Sequence, residues 1–386
     1  MLIVTILVFL LVLSVLVLIH ELGHFLTAKK FGVKVEEFGL GLPPRVWGKK
    51  IKGTIYSINA LPFGGFVKLK GEDPTEEGAH DKNSFYSKSL GARAVMLSAG
   101  VVANILLGVI IFYFLVGFGG FRFTWPSFFD YNFRFADQFN GVLIGEIEKD
   151  SPAQKAGLSD FLLITGAAGQ KVGSVDQLRG ITGSNAGKEI TISTFNPDSN
   201  QAGEVKVVPR TEPEKVKGTI GVILSPVPFT VVSYNNFVSR ALVGFAHSEN
   251  LMELNFKAIG KLIEASISRR TVAPISQSIG GPIAIAQVTG EAVSVGPGAL
   301  VEFVAILSLT LGVINILPFP ALDGGRLFFV GVEWITRRKI NPRIEQAVNT
   351  VGFFILISLI VLVSFNDVWR IISGTPFGSG VLELFK

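Results

Sequence analysis

The chain has 386 residues, of which 48% are hydrophobic and only 17% are charged. Soluble domains carry about 25% charged residues, so this composition indicates that much of the chain contacts lipid. Cysteine is absent, which excludes disulfides and thiolate zinc sites and leaves histidines and carboxylates as the available metal ligands. The net charge of +5 comes without a basic stripe interleaved with aromatic residues, so we expect no nucleic-acid partner.

Four apolar runs predict an α-helical polytopic membrane protein with four transmembrane helices. The first run, Leu2 to Ile19, has no Lys or Arg before it and no small-residue cleavage site after it. These features favour a membrane span over a signal peptide. The other three runs cover residues 94–118, about 300–317 and about 351–363.

Positive charge orients the predicted helices. Lys and Arg are concentrated between the first two runs and again between the last two runs. Four spans place these two segments on the same side of the membrane, and the positive-inside bias assigns that side to the cytoplasm. Both termini and the long middle region are therefore expected on the extracytoplasmic side.

The segments between the spans have distinct patterns. In the first cytoplasmic segment, β-patterned runs at 54–60 and 66–70 flank Leu61-Pro-Phe-Gly-Gly65, which predicts a membrane-associated hairpin with its turn there. Residues 141–210 have the short strands and polar turns of a soluble domain. From Phe229 to about Ile267 the pattern is amphipathic and rich in Phe, which predicts a helix lying against the membrane.

The motif with the clearest chemistry is His20-Glu21-Leu22-Gly23-His24. On a helix the two histidines lie one turn apart on one face, where they can bind a single metal ion. Glu21 lies beside them and can take a proton from an attacking water molecule. A chance match at a helix end is the alternative, but ionisable groups in an apolar span are costly and usually functional.

A catalytic zinc normally has three protein ligands and one open position, so a third ligand is needed. Asp323 is the favoured candidate because it follows the third span and lies at the same membrane side as His24. His80 falls in a polar loop and His247 in the extracytoplasmic region, so neither is favoured. The alternative for Asp323 is a loop aspartate that caps the next helix.

The second run contains Gly100-Val-Val-Ala-Asn104, with a small residue and an amide on one helix face. This pattern permits a close approach of another helix and a polar contact with it. Helix packing alone explains the pattern equally well.

Together these residues resemble the site-2 protease family of intramembrane zinc metalloproteases, in its bacterial branch with an extracytoplasmic PDZ domain. His20 to Gly32 is similar to the family's first helix, and Asn315 to Gly325 matches its Asn-x-x-Pro-x-Pro-x-x-Asp-Gly signature. Residues 61–68 are similar to its membrane-associated hairpin region, and Ser151 to Leu158 resembles the helix start of bacterial PDZ domains.

The resemblance implies one zinc ion held by His20, His24 and Asp323, with Glu21 as the catalytic base and Asn315 holding the substrate backbone. It also implies a location in the bacterial inner membrane and cleavage of transmembrane segments, for example of anti-sigma factors or signal-peptide remnants. The expected domains are helices 1 and 2 with the hairpin (1–120), an inserted extracytoplasmic α+β PDZ domain (121–225), an amphipathic membrane-associated segment (226–298) and helices 3 and 4 (299–386).

A substrate helix must unwind before its carbonyls can be attacked, and an exposed hairpin edge could hold the extended stretch by strand addition. We therefore expect Phe63, Gly64 and Gly65 to contact the substrate. The expected partners are the lipid bilayer and pre-trimmed single-pass membrane proteins, with the PDZ domain excluding bulky external domains.

Two other functions are compatible with parts of the sequence. A membrane-anchored PDZ binding module would carry a structural metal site and would not need Glu21. A metal transporter would carry polar residues along several helices, and these runs contain few. The combination of His-Glu-x-x-His and Asp323 favours the protease over both.

Overall fold

The computed structural model of the protein describes residues 2–73, 78–79, 81–127, 130–197, 199–211, 218–270 and 280–374. The chain divides into two compact units: unit 1 comprises Met1–Phe112 and Leu251–Gly380, and unit 2 comprises Tyr113–Asn250 and Val381–Lys386. The four domain boundaries expected from the sequence remain a prediction.

The described helices, in chain order, are α1 (Leu2–Lys30), α2 (Leu90–Phe118), α3 (Pro152–Lys155), α4 (Val175–Ser184), α5 (Phe237–Ala241), α6 (Val243–Ser268), α7 (Pro282–Val295), α8 (Pro297–Ile316), α9 (Asp323–Thr336) and α10 (Pro342–Ser373). The described strands are β1 (Val35–Ile51), β2 (Thr54–Leu69), β3 (Arg122–Pro126), β4 (Asp137–Ile147), β5 (Leu163–Ala167), β6 (Gln170–Lys171), β7 (Ile190–Asn196), β8 (Gln201–Val207), β9 (Val222–Leu224) and β10 (Phe229–Ser233).

Four helices, α1, α2, α8 and α10, are long and apolar enough to cross a membrane. They contain the four apolar runs of the sequence, and α1 and α10 extend well beyond them. A hydropathy pattern identifies only the apolar part of a helix, whereas backbone hydrogen bonds continue into polar turns. Large apolar side chains on α1 and α10 are exposed, among them Leu11 at 63% and Leu362 at 67%, as expected for surfaces that face lipid.

The hairpin of β1 and β2 contains the predicted reversal and a second one. The chain reverses at Lys52 and Gly53, which have φ of 47° and 85°. It reverses again between Ile58 and Gly65, as predicted, because residues 55–58 run in the same direction as residues 37–40, whereas residues 65–69 run in the opposite direction. The first half of β1 pairs with residues 55–58 on one side and with residues 65–69 on the other. Residues 65–69 therefore pair with β1 along one side only in the described ladders.

Unit 2 is built around an eight-stranded sheet with the order β3-β10-β4-β5-β7-β8, in which β6 pairs with β5 and β9 pairs with β4. Its main core is aliphatic and includes Val142, Ile144, Ile164, Leu178 and Ile192. The expected soluble domain of strands and short helices is present in residues 141–210.

The predicted membrane-associated helix does not begin at Phe229. Phe229–Ser233 is strand β10, which pairs with both β3 and β4. The apolar side chains of this segment are buried in the sheet, and Val231 and Val232 are fully buried. A short apolar run fits a central strand as well as a helix turn, so periodicity alone did not separate the two. The helical part of the segment begins at Phe237.

Helix α7 precedes the third long helix and was not predicted. Its N-cap residue, Gly281, has no side chain that can satisfy the free N–H groups of the first turn. Asp367 of α10 does so instead, accepting hydrogen bonds of 3.0 Å from the backbone N–H groups of Gly281 and Ala284. This buried carboxylate ties the start of α7 to α10 across 83 residues of sequence.

Candidate metal centre

Two of the predicted ligands lie on the buried face of α1. The buried residues of this helix are spaced four apart: Val12, Leu16, His20, His24 and Ala28. Residues four apart lie on one helix face, so the same stripe that packs against the protein carries both imidazoles. Most other side chains of this helix are apolar, and both histidines are buried within unit 1.

The structure brings Asp323 to these two histidines across about 300 residues of sequence. Oδ2 of Asp323 lies 2.8 Å from Nε2 of His20 and 3.2 Å from Nε2 of His24. The two Nε2 atoms are 3.1 Å apart. The sequence analysis expected these three residues to converge, and their side chains do meet.

The three side chains fit a tetrahedral metal site. One ligand atom from each of His20, His24 and Asp323 lies within 4.8 Å of the others. Ligand atoms around a tetrahedral zinc, with bonds of about 2.1 Å, lie roughly 3.4 Å apart. The distances of 2.8–3.2 Å are slightly shorter, so a small outward movement of the side chains accommodates the ion. Two imidazoles and a carboxylate also match the donor types that zinc prefers.

The second nitrogen of each imidazole is also positioned. Nδ1 of His24 lies 2.8 Å from the carbonyl oxygen of Met96, so Nδ1–H can donate to it and leave the lone pair of Nε2 for a metal. Nδ1 of His20 lies 3.4 Å from the amide of Asn104. Oδ1 of Asn104 is buried without a hydrogen-bond partner, and turning the amide by 180° places this oxygen where Nδ1–H can donate to it.

Asn104 is therefore a site residue whose role the sequence analysis left open between helix packing and a polar contact. Its side chain is buried, with 1% exposure, and its backbone carbonyl accepts a 2.7 Å hydrogen bond from Ser308 of α8. The signal in the sequence was an amide in an otherwise apolar span. The residue that it contacts became identifiable only when α1 and α2 were placed side by side.

Two glycines let α1 and α2 approach closely at the site. A Cβ atom on Gly100 would lie 2.6 Å from Nε2 of His20, which is inside the closest contact that carbon atoms make. A Cβ atom on Gly23 would lie 2.7 Å from the carbonyl carbon of Ala99. Small residues at helix interfaces permit such approaches in membranes, and here they leave room for the imidazoles.

Asp323 is presented by an irregular loop between α8 and α9. Pro318 and Pro320 interrupt the helix, and Ala321 has φ of 72°. Gly324 and Gly325 both lie in the first turn of α9, and neither has a positive φ. They are required for space, because a side chain on Gly324 would overlap the carbonyl groups of residues 316 and 317.

The alternative of a capping aspartate does not fit this geometry. Leu322 is the N-cap residue of α9 and makes no side-chain cap hydrogen bond. Asp323 is the first residue of the helix, and its carboxylate is directed to the histidines. Burial raises the pKa of Asp323, but the contacts with His20 and His24 outweigh this effect and bring the pKa below its ordinary value.

Glu21 lies in the same cavity, which has a volume of about 180 Å³. Its Oε2 accepts a 3.0 Å hydrogen bond from the backbone N–H of Val67 in β2. The cavity is lined by side chains from α1, α2, α9, β2 and the loop after β2: His20, Glu21, His24, Phe66, Val67, Leu69, Glu72, Phe85, Met96, Leu97, Asp323 and Arg326. A carboxylate thus faces the candidate metal position across a space that can hold water.

The other predicted substrate contacts lie outside this cavity. Asn315 is half-buried near the end of α8. Phe63, Gly64 and Gly65 lie farther along β2, where Gly64 and Gly65 face Val17 and Leu18 of α1. None of these four described residues lines the cavity, so their roles remain predictions.

Of the two disfavoured histidines, the structure describes His247, which takes no part in the site. His247 is fully buried in unit 2, where the Tyr234 hydroxyl lies 3.0 Å from its Nδ1. Burial lowers the pKa of His247 to about 3, so it is a neutral core side chain. His80 lies outside the described residues.

A His-Glu-x-x-His helix joined to a remote aspartate, among helices long and apolar enough to cross a membrane, defines the class of membrane metallopeptidases. The chain belongs to peptidase family M50, whose sequence profile matches residues 8–359. The expected membership in the site-2 protease family is thereby confirmed.

Relatives match over nearly the whole chain. A Clostridium perfringens protein, named by similarity as a zinc metalloprotease, is 32% identical over 93% of this chain and 97% of its own length. The zinc metalloprotease RasP of Shouchella clausii is 27% identical over 96% of this chain and all of its own length. The predicted enzyme class, a zinc metalloprotease, and the predicted zinc cofactor are confirmed by this similarity.

Part of the chain is similar to solved PDZ domains. The PDZ domain of the SdrC-like protein from Listeria innocua is 26% identical over 22% of this chain and 92% of that structure, with a TM-score of 0.19. A score this low carries no argument about the fold of unit 2, so the position and role of a PDZ domain are left to the proposal below.

Gly100→Ala should abolish zinc binding, because the added methyl group would overlap both imidazoles. We expect purified Gly100→Ala protein to contain less than about a tenth of one zinc per chain by elemental analysis. Gly117→Ala, also in α2 but with open space around the new Cβ, is the matched control and should keep its zinc. Full zinc occupancy in Gly100→Ala would contradict the site geometry.

Proposed function

We propose that this zinc metalloprotease hydrolyses peptide bonds within or beside transmembrane segments of other membrane proteins. The supporting observation is the contact of Asp323 with His20 and His24, since it builds a metal site on the buried face of an apolar helix of membrane-spanning length. A substrate that reaches this site must itself enter the apolar region, and transmembrane segments do so by nature.

In this proposal His20, His24 and Asp323 hold one zinc ion. Zinc at this position polarises a carbonyl group and makes a water molecule more acidic. The residues of the chain supply the positioning: the Met96 carbonyl and the Asn104 amide orient the two imidazoles. The apolar cavity walls from Phe66, Phe85 and Leu97 limit the amount of water beside the reacting groups.

Glu21 is proposed as the general base and then the general acid. It directly follows His20 and precedes His24 by three residues. Its side chain lines the same cavity as the two histidines. Glu21 takes a proton from water as the water attacks the carbonyl carbon, and it gives that proton to the departing amide nitrogen. The hydrogen bond from Val67 N–H fixes one carboxylate oxygen and leaves the other for this transfer.

Glu21→Gln should remove proteolysis and keep the zinc. The amide oxygen of Gln can still accept the hydrogen bond from Val67, but it cannot take up a proton, so we expect a fall in rate of about 10²–10⁴-fold. The measurement is cleavage of a single-pass substrate in detergent, with zinc content and thermal unfolding determined on the same sample. Cleavage at the wild-type rate by this variant would exclude Glu21 as the base.

A soluble unfolded protein serves as the second substrate in this assay. The proposed substrate class requires that wild-type enzyme cuts the membrane segment at a much higher rate than the soluble chain. Equal rates for the two substrates would be consistent with metallopeptidase activity but would contradict the proposed preference for membrane segments.

The edge of β2 is proposed to hold the unwound substrate by strand addition. Residues 65–69 pair with β1 along one side, and the Val67 N–H points away from that ladder toward Glu21. In a strand the N–H and C=O of one residue point to the same side, so the free side of this strand borders the cavity. Phe63, Gly64 and Gly65 then continue the same edge beside α1.

Val67→Pro should weaken cleavage in two ways, because proline removes the N–H that positions Glu21 and disturbs the free edge of β2, while it keeps the ladder to β1. We expect a fall in kcat from the first effect and a rise in KM of at least about fivefold from the second, with zinc content unchanged. Val46→Pro is the control, since Val46 is exposed in β1 and has no partner in the described ladder. Unchanged KM for Val67→Pro would remove the support for strand addition.

Asn315 is proposed to contact the substrate backbone. It lies in the last turn of α8, half-buried, just before the loop that presents Asp323. An amide side chain offers both a donor and an acceptor, which suits an extended peptide whose own hydrogen bonds have been broken.

The proposed orientation of the chain in a bacterial inner membrane rests on the positive-inside bias. With this orientation, segments 31–89 and 317–341 lie on the cytoplasmic side. Unit 2 and both chain ends then lie on the extracytoplasmic side. In this arrangement the expected PDZ domain acts as a filter that admits single-pass proteins only after their external domains have been trimmed.

The filter can be tested by removing residues 148–221 from unit 2 between two paired strands. Ile147 of β4 and Val222 of β9 are ladder partners, so residues 148–221 can be replaced by an Asn-Gly turn. We expect this variant to cleave substrates with and without a folded external domain, whereas the full chain cleaves only the trimmed substrate. Cleavage of the trimmed substrate at the full-chain rate is the control for folding. Continued rejection of the untrimmed substrate would refute the filter.

A further inference from the structure

A second cavity, separate from the metal centre, lies where α9 ends and α2 begins. Its volume is about 760 Å³, which is within the range of small-molecule sites. Five cations line it: Lys88 from the segment before α2, Arg93 of α2, and Arg337, Arg338 and Lys339 from the turn after α9. None of these residues belongs to the metal centre, and the protease mechanism does not use them.

The charge of this cavity is not balanced by its own walls. Glu333 is the one acidic side chain among the described residues that line it. Glu333 is already paired with the buried Arg93, with 2.7 Å between Oε2 of Glu333 and Nη1 of Arg93. The Arg93 guanidinium also lies 4.4 Å from the centre of the Tyr86 ring, so the floor of the cavity is an ion pair without net charge. Four positive charges remain at the rim.

The backbone presents three of these cations together. Arg337 has φ of 54°, in the left-handed region that non-glycine residues rarely adopt, and this conformation ends α9. The chain therefore turns at Arg337 instead of continuing the helix. Arg337, Arg338 and Lys339 are all exposed as a result. Like charges held side by side repel one another, so an anion at this position is stabilising.

An exposed apolar side chain lines the cavity beside the cations. Trp334 of α9 is 73% exposed. The cavity also includes Leu90, the first residue of a helix long and apolar enough to cross a membrane. A tryptophan beside basic residues at the end of a span is typical of the interface between lipid headgroups and acyl chains.

We propose that this cavity binds the headgroup of an anionic phospholipid, with the phosphate among Lys88, Arg337, Arg338 and Lys339 and an acyl chain along Trp334 and Leu90. Basic pockets at the ends of membrane helices have the charge that such headgroups require. An acidic peptide or a soluble anion would match the cations and leave the exposed Trp334 and the apolar start of α2 without a partner. The lipid matches both surfaces at once.

The location gives this lipid a mechanical connection to the metal centre. Helix α9 begins with Asp323 and ends at the cavity, and α2 begins at the cavity and carries Gly100 and Asn104 toward the histidines. A lipid that contacts both helix ends would hold the two elements that frame the metal site at a constant separation.

The test is lipid binding by the whole purified protein, measured by native mass spectrometry during titration with phosphatidylglycerol and, separately, with phosphatidylcholine. We expect the wild type to retain one phosphatidylglycerol in preference to phosphatidylcholine. The variant R337Q/R338Q/K339Q should lose apparent affinity for phosphatidylglycerol by at least ~10-fold. The matched control K155Q/K171Q/K188Q removes the same charge from exposed lysines of unit 2 and should bind as the wild type does.

Other results would overturn the proposal. Equal binding of the two lipids, unchanged affinity in R337Q/R338Q/K339Q, or an equal loss in the control would each show that general charge attraction explains the binding. Displacement of the lipid by inorganic phosphate at the same concentration would identify a free-anion site instead.

The acyl chain can be located independently. Phosphatidylglycerol with brominated acyl chains quenches tryptophan fluorescence on contact, and Trp334→Phe removes the contribution of the residue beside the cavity. We expect the quenched signal to be smaller in Trp334→Phe than in the wild type. Identical quenching in the two proteins would contradict the placement of the acyl chain along α9.

Discussion

Two imidazoles and a carboxylate meet in a part of the molecule built from apolar helices, and the rest of unit 1 is arranged around this contact. Removing such groups from water is costly unless they are paired, hydrogen-bonded or bound to a metal. His20, His24 and Asp323 satisfy this requirement through one another, at distances of 2.8–3.2 Å. The contact requires that α1, which carries both histidines, meets the start of α9, which places strict limits on side-chain size around it.

These limits on side-chain size explain why glycines that take no part in the reaction lie near the site. Gly100 and Gly23 remove the side chains that would separate α1 from α2, and Gly324 lets α9 start directly against the backbone that precedes it. The irregular loop between α8 and α9 leaves backbone groups without helical partners, which membranes tolerate only beside a protein interior or a wet cavity. The cavity of about 180 Å³ at the metal centre is such a place.

The hairpin completes the site from a different direction. Its edge strand supplies the N–H that positions Glu21, and it contributes Phe66, Val67 and Leu69 to the cavity wall. A helix bundle alone offers no free backbone hydrogen-bonding groups, because each helix satisfies its own. A strand edge does offer them, so the combination of helices for the metal and a strand for an extended peptide suits hydrolysis of a segment that arrives as a helix.

The sequence by itself determined the apolar spans, the spacing of His20 and His24, the candidate third ligand and the family, because each depends on local order or on residue type. Tertiary structure decided what depends on contacts between distant residues. Phe229–Ser233 became a strand because β3 and β4 flank it, and residues 55–58 and 65–69 are separated by the first half of β1 because that segment pairs with both. The contact between Asn104 and His20 could be identified only from the packing of α2 against α1. Helical and strand periodicities describe one element at a time, whereas these features follow from how separate elements pack.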